Sequence, residues 1–84
     1  MKTLVIHPDD RTTDFLFHIY ENLEADVIHD RTKTEDEMAD ILPKYDRIIC
    51  LGHGSPAGLF GDFGYIISDY HADILRDKDL VCIW

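Results

Sequence analysis

Arg47-Ile48-Ile49-Cys50-Leu51-Gly52-His53-Gly54-Ser55 is an apolar strand that runs straight into a histidine held between two glycines. The apolar run is too short for a globular helix and is bounded by glycine, which is how a buried strand reads. His53 then stands at a strand's carboxyl end, where open α/β sheets place their chemistry. Glycine on either side permits unusual torsions and the close approach of another molecule, so the imidazole is presented rather than packed. The competing interpretation is a tight turn whose histidine is merely exposed.

Working outward, Thr3-Leu4-Val5-Ile6 is a short apolar strand ended by Pro8, which cannot donate to a ladder. Phe15, Leu16, Ile19, Tyr20 and Leu23 recur at helical spacing, with Asp10, Thr12 or Thr13 available as a cap. Asp26-Val27-Ile28-His29 reads as a second strand. Thr34 and Glu37 form a capping-box pair opening a helix that carries Met38, Ile41 and Leu42 until Pro43 stops it. Beyond Gly52 the chain is glycine-rich, and Tyr65-Ile66-Ile67 reads as a small extra strand or the end of a loop. Ser68 or Asp69 caps a third helix burying Ile74 and Leu75, and Leu80-Val81-Cys82-Ile83-Trp84 is the fourth main strand. Strands alternating with helices predict an α/β three-layer sandwich: a four-stranded, mainly parallel sheet in the order 2-1-3-4 with helices on both faces.

Eighty-four residues make one domain, able to bury roughly 60 to 65% of the surface its unfolded chain exposes. No linker or repeat divides it. Seventeen acidic residues against eight basic ones give a formal charge of −9, which disfavours phosphate backbones and anionic membranes; no nucleic-acid or membrane partner is expected. No apolar run approaches the roughly 20 residues that span a bilayer, and the N-terminus lacks a signal-peptide core, so a cytoplasmic location is expected. Cys50 and Cys82 sit inside strand-like runs, as small buried thiols do. Neighbouring strands would bring them together, although a disulfide is not expected in a cytosolic chain.

His7, His29 and His53 follow the first, second and third strands, so a parallel sheet brings all three to one rim together with Asp9, Asp10 and Asp30. Imidazole and carboxylate suit zinc-like ions, yet these residues come from separate strands without diagnostic spacing, and neither a metal nor a cofactor is expected. His18 and His71 fall on helices and read as surface or helix-flank residues.

Ile48 to Ser55, followed by Gly58-Leu59-Phe60-Gly61, resembles the histidine segment of the caspase-hemoglobinase superfamily of cysteine peptidases, which includes caspases, legumains, gingipains, separases and CHAT-domain proteins. Members share a strand ending in His-Gly, a glycine-containing turn, a helix, and an apolar strand whose end carries the nucleophilic cysteine. The resemblance spans Tyr45 to Trp84. It implies that His53 is the general base or acid and that the Gly54 N–H is one donor of the oxyanion hole. An imidazole raises the thiolate fraction of a nearby cysteine, and backbone N–H groups stabilise the tetrahedral oxyanion. His7, Asp9, Asp10 and Ser55 are the candidate pocket residues beside it, the two acids favouring a basic residue in a peptide or protein substrate.

The sequence departs from that pattern at the nucleophile. Cys82 is third in a five-residue strand, about 6 to 7 Å short of the sheet edge at 3.3 Å per residue, and reads as a core thiol. The apolar ending implies that the chain is the N-terminal part of a larger caspase-like domain, with the cysteine a residue or two further on, and that the 84 residues are inactive alone. A bare fourth strand at the sheet edge implies a homo-oligomer formed through it. The alternative function is a non-catalytic, flavodoxin-like module binding a small ligand or a protein, with the Gly52–Gly61 loop cradling an anion.

Overall fold

The computed structural model describes residues 1–84. In chain order the elements are β1 (Thr3–Ile6), a 3-10 segment (Asp14–Ile19), β2 (Asp26–Ile28), α1 (Glu35–Ile41), a 3-10 turn (Leu42–Lys44), β3 (Arg47–Leu51), β4 (Gly54–Ser55), β5 (Gly58–Gly61), β6 (Gly64–Ser68), a 3-10 turn (Asp69–His71), α2 (Ala72–Leu75) and β7 (Asp79–Ile83). β2, β1, β3 and β7 pair in that order, every pair parallel. This is the expected 2-1-3-4 arrangement of an α/β fold. β4, β5 and β6 form a separate antiparallel sheet inserted between the third and fourth main strands. Of the two readings of Tyr65–Ile67, extra strand or loop end, the structure has the strand, as part of β6, and the glycine-rich stretch expected as a loop supplies β4 and β5.

Side-chain alternation along the central strands builds two cores. Leu4, Ile6, Ile48 and Cys50 point to one face and pack with Met38, Leu42, Leu59, Ile66 and Ile67. Met38 and Leu42 are wholly buried there, each contributing about 1.5–3 kcal/mol relative to exposure. Val5, Ile49 and Leu51 point to the other face and meet Tyr20, with Leu16 and Ala25 half-buried beside them. The capping box predicted for α1 is present: the Thr34 hydroxyl accepts from the Glu37 N–H and the Glu37 carboxylate accepts from the Thr34 N–H.

The helix expected over Phe15–Leu23 is a 3-10 segment of six residues. It has no side-chain cap and is tied to β1 at both ends, the Thr13 carbonyl and the Tyr20 hydroxyl each bonding the His7 ring. Its tighter winding leaves Phe15 66% and Phe17 47% exposed, so only Leu16 and Tyr20 cover that face of the sheet. His71, expected at a helix surface, is fully buried. It donates from Nε2 to the Glu35 carbonyl (2.8 Å) and accepts at Nδ1 from the Ser68 N–H (3.2 Å), locking α1 to the turn before α2. Cys82, expected in the core, is exposed, because β7 is an edge strand that pairs only with β3 and every residue of it is exposed. No helix is long and apolar enough to cross a membrane.

Candidate functional site

The chain leaves the parallel sheet at Gly52 and enters the antiparallel one at Gly54, so His53 sits at the junction of the two. Gly52 makes that exit with φ +152°, and a Cβ there would lie 3.1 Å from Leu59 Cδ1. Its N–H donates to the Ile83 carbonyl (3.1 Å), continuing the β3–β7 ladder to the strand's last residue. The His53 carbonyl then accepts from the Phe60 N–H (2.9 Å). The backbone on both sides of the histidine is therefore fixed by strand pairing, while its side chain is 60% exposed.

The imidazole is oriented from β1's exit loop. Asp10 Oδ1 accepts from the Thr12 N–H (2.9 Å) and the Thr12 hydroxyl (2.7 Å), a local turn of the kind Asp and Thr favour. The Thr12 hydroxyl proton is thus committed to Asp10. Thr12 Oγ1 lies 2.5 Å from His53 Nε2 and accepts from it, and Asp10 Oδ2 stands 3.4 Å from the same nitrogen. This assigns the neutral ring an Nε2–H tautomer and leaves Nδ1 as the basic atom. Hydrogen bonds from the Thr12 hydroxyl and N–H hold the Asp10 carboxyl below its ordinary range, with His53 and Arg31 adding a smaller electrostatic contribution.

A shallow cleft of about 160 Å³ opens beside the ring, lined by Pro8, Asp9, Asp10, Arg31, His53 and Phe60 among others. Asp9 and Asp10 are where the sequence puts them. Arg31 crosses the cleft, donating from Nε to Asp62 (2.9 Å) and from Nη1 to the Asp9 carbonyl (2.8 Å). Thr12, Arg31 and Phe60 were not among the expected site residues. The Asp10-x-Thr12 spacing is a turn signature that sequence alone can find, whereas Phe60 comes from an antiparallel pairing that no local pattern announces.

Other expected members lie elsewhere. His7 is 2% exposed, accepting from the Tyr20 hydroxyl (2.7 Å) and donating to the Thr13 carbonyl (2.9 Å); it braces the loop that carries Asp10 and Thr12 rather than facing the rim. Ser55 Oγ bonds the Tyr65 hydroxyl (3.0 Å) and caps the next turn through the Ala57 N–H (3.1 Å). Gly54 lies against Trp84, where a Cβ would come within 2.6 Å of the indole. With His53 and Phe60 hydrogen-bonded, ladder alternation turns the Gly54 N–H away from β5. Cys82 opens into a different depression, sharing no lining residue with the His53 cleft. His29 donates from Nδ1 to the His7 carbonyl (2.9 Å), and no group of three or more histidine, cysteine or acidic side chains is arranged to hold a metal ion.

Comparison with models of known protein families, with curated proteins and with solved structures finds no match.

Proposed function

We propose that His53 is the proton-transfer residue of a cysteine-peptidase-type site, of the kind that Ile48–Ser55 resembles in the caspase-hemoglobinase superfamily. The observation supporting this is the 2.5 Å contact from Nε2 to Thr12 within the Asp10–Thr12 turn, which keeps the base at Nδ1. A thiol entering the cleft gives its proton to Nδ1. The resulting imidazolium shares its Nε2–H between Thr12 and the Asp10 carboxylate, whose charge stabilises it. The thiolate attacks the substrate carbonyl, and the Gly54 N–H is the oxyanion donor. Thr12 and Asp10 are positioning residues. Asp9 and Asp10 favour a basic side chain in the peptide, Arg31 being already paired with Asp62.

Cys50 is buried and Cys82 faces another depression, so the 84 residues by themselves are proposed not to cleave peptides. In a protein that carries this chain with further sequence after Trp84, a peptidyl chloromethyl ketone should label a thiol other than Cys82, and His53→Ala should abolish that labelling. Equal labelling of both proteins, or none in either, removes the assignment. A homo-oligomer through β7 is also proposed, since that strand pairs only with β3 and exposes Leu80, Val81 and Ile83 by 41–43%. Light scattering that returns a monomer at high concentration rejects it.

No observation favours the anion-cradle alternative. The segment Gly52–Gly61 runs into antiparallel strands and feeds no helix N-terminus.

A further inference from the structure

The β3–β7 ladder sets Cys50 directly opposite Cys82. Paired residues in adjacent strands share one face of the sheet, with strands about 4.8 Å apart, inside the 4.4–6.8 Å Cα range that a disulfide bridges. The two thiols differ in surroundings. Cys50 is wholly buried in the core beneath α1. Cys82 is exposed and opens onto a groove of about 370 Å³, whose apolar lining includes Ile67, Leu75, Leu80 and Trp84. Trp84 is fixed there by a 2.7 Å bond from Nε1 to the Ser55 carbonyl. The groove is of the size that takes a small organic molecule.

We propose that Cys82 and Cys50 are an attacking and resolving thiol pair that reacts with an organic hydroperoxide seated in this groove and closes as a reversible β3–β7 disulfide. The Cys82 thiolate attacks the terminal peroxide oxygen, the O–O bond breaks, and the alcohol leaves after taking up a proton. Cys82 is then a sulfenic acid. The Cys50 sulfur attacks the Cys82 sulfur, the S–O bond breaks, and the departing hydroxide takes the Cys50 proton as water. One hydroperoxide is reduced by two electrons and the two thiols are oxidised to one disulfide.

The division of labour follows from the register that sets the two thiols opposite each other. Interaction with the Cys50 thiol holds Cys82 below the ordinary thiol range despite partial burial. The same interaction, with burial behind it, pushes Cys50 far above that range. An accessible, lowered thiol beside a resolving partner is the arrangement found in redox-sensing cysteines. Because β7 is an edge strand that touches the sheet only along β3, the crosslink would clamp it to the centre of the sheet. This role uses neither His53 nor its cleft.

Iodoacetamide on the native chain should modify Cys82 at least about tenfold faster than Cys50. Stoichiometric cumene hydroperoxide should remove two hydrogens from the chain and link the tryptic peptides covering 48–76 and 79–84, and dithiothreitol should reverse this. Cys50→Ser should instead accumulate a dimedone adduct at Cys82, and Cys82→Ser should resist the oxidant. Cumene hydroperoxide should also outpace hydrogen peroxide at equal concentration. Faster alkylation of Cys50, oxidation yielding only intermolecular disulfides, or equal rates with the two peroxides would each overturn the proposal, and all three are read on the wild-type chain.

Discussion

The tripeptide Asp-Arg-Thr occurs twice, at Asp10-Arg11-Thr12 after β1 and at Asp30-Arg31-Thr32 after β2, and folds the same way both times. Thr12 donates to Asp10 from N (2.9 Å) and Oγ1 (2.7 Å); Thr32 donates to Asp30 from N (2.8 Å) and Oγ1 (2.6 Å). Each preceding strand is followed by a histidine. The turns nevertheless do different things. The first offers its threonine to His53; the second spends its arginine on Asp62 and the Asp9 carbonyl while Thr32 meets no histidine. Strand order accounts for the difference. β1 lies next to β3 and β2 lies outside it, so only the first turn adjoins the residue that follows β3. Local sequence sets the turn, and topology decides whether the turn becomes part of a site.

The largest effect expected from this contrast is in stability. His7→Phe strands the Tyr20 hydroxyl and the Thr13 carbonyl in the core and should cost about 2–4 kcal/mol in urea unfolding. His29→Phe removes one bond from a largely exposed ring and should cost less than about 1 kcal/mol. Comparable losses would mean that the first loop is not braced through His7. Next in size, Thr12→Val and Thr32→Val should each cost about 0.5–1.5 kcal/mol, since each removes one hydroxyl bond to an aspartate.

The smallest effect is in acid. Hydrogen bonds from the following threonine hold both Asp10 and Asp30 below the ordinary 3.8, so in acid the folded chain binds fewer protons than the unfolded one. The stability each carboxylate provides is therefore complete above 3.8 and is lost as pH falls through its lowered folded value. Asp10→Asn and Asp30→Asn should each flatten the slope of stability against pH below about 4 and leave the slope near neutrality unchanged. A steeper acid slope in either variant would contradict the sign.

Much of this fold is readable from local pattern. Thr3–Ile6 and Arg47–Leu51 are strands with the expected bounds, Thr34 and Glu37 form their capping box, and the order of the four parallel strands follows from strand–helix alternation. The failures share a cause. Phe15, Ile19 and Leu23 have helical spacing, but His7 pins the segment into a tighter 3-10 path. His71 and Cys82 exchange the environments their elements suggest, because burial depends on what lies across from a residue: Glu35 for the one, and no covering element for the other. At the site, His53, Asp9 and Asp10 were legible as rim residues, whereas Thr12 acquires its role only when β1 and β3 become neighbours.

The account rests on the claim that His53 is oriented through Nε2 by Thr12. Long-range proton–nitrogen NMR of histidine-labelled protein above neutral pH tests it directly. The ring should be predominantly the Nε2–H tautomer, and Thr12→Val should shift its Nε2 resonance while Thr32→Val leaves it in place. A predominantly Nδ1–H ring, or identical His53 signals in the two valine variants, would contradict it.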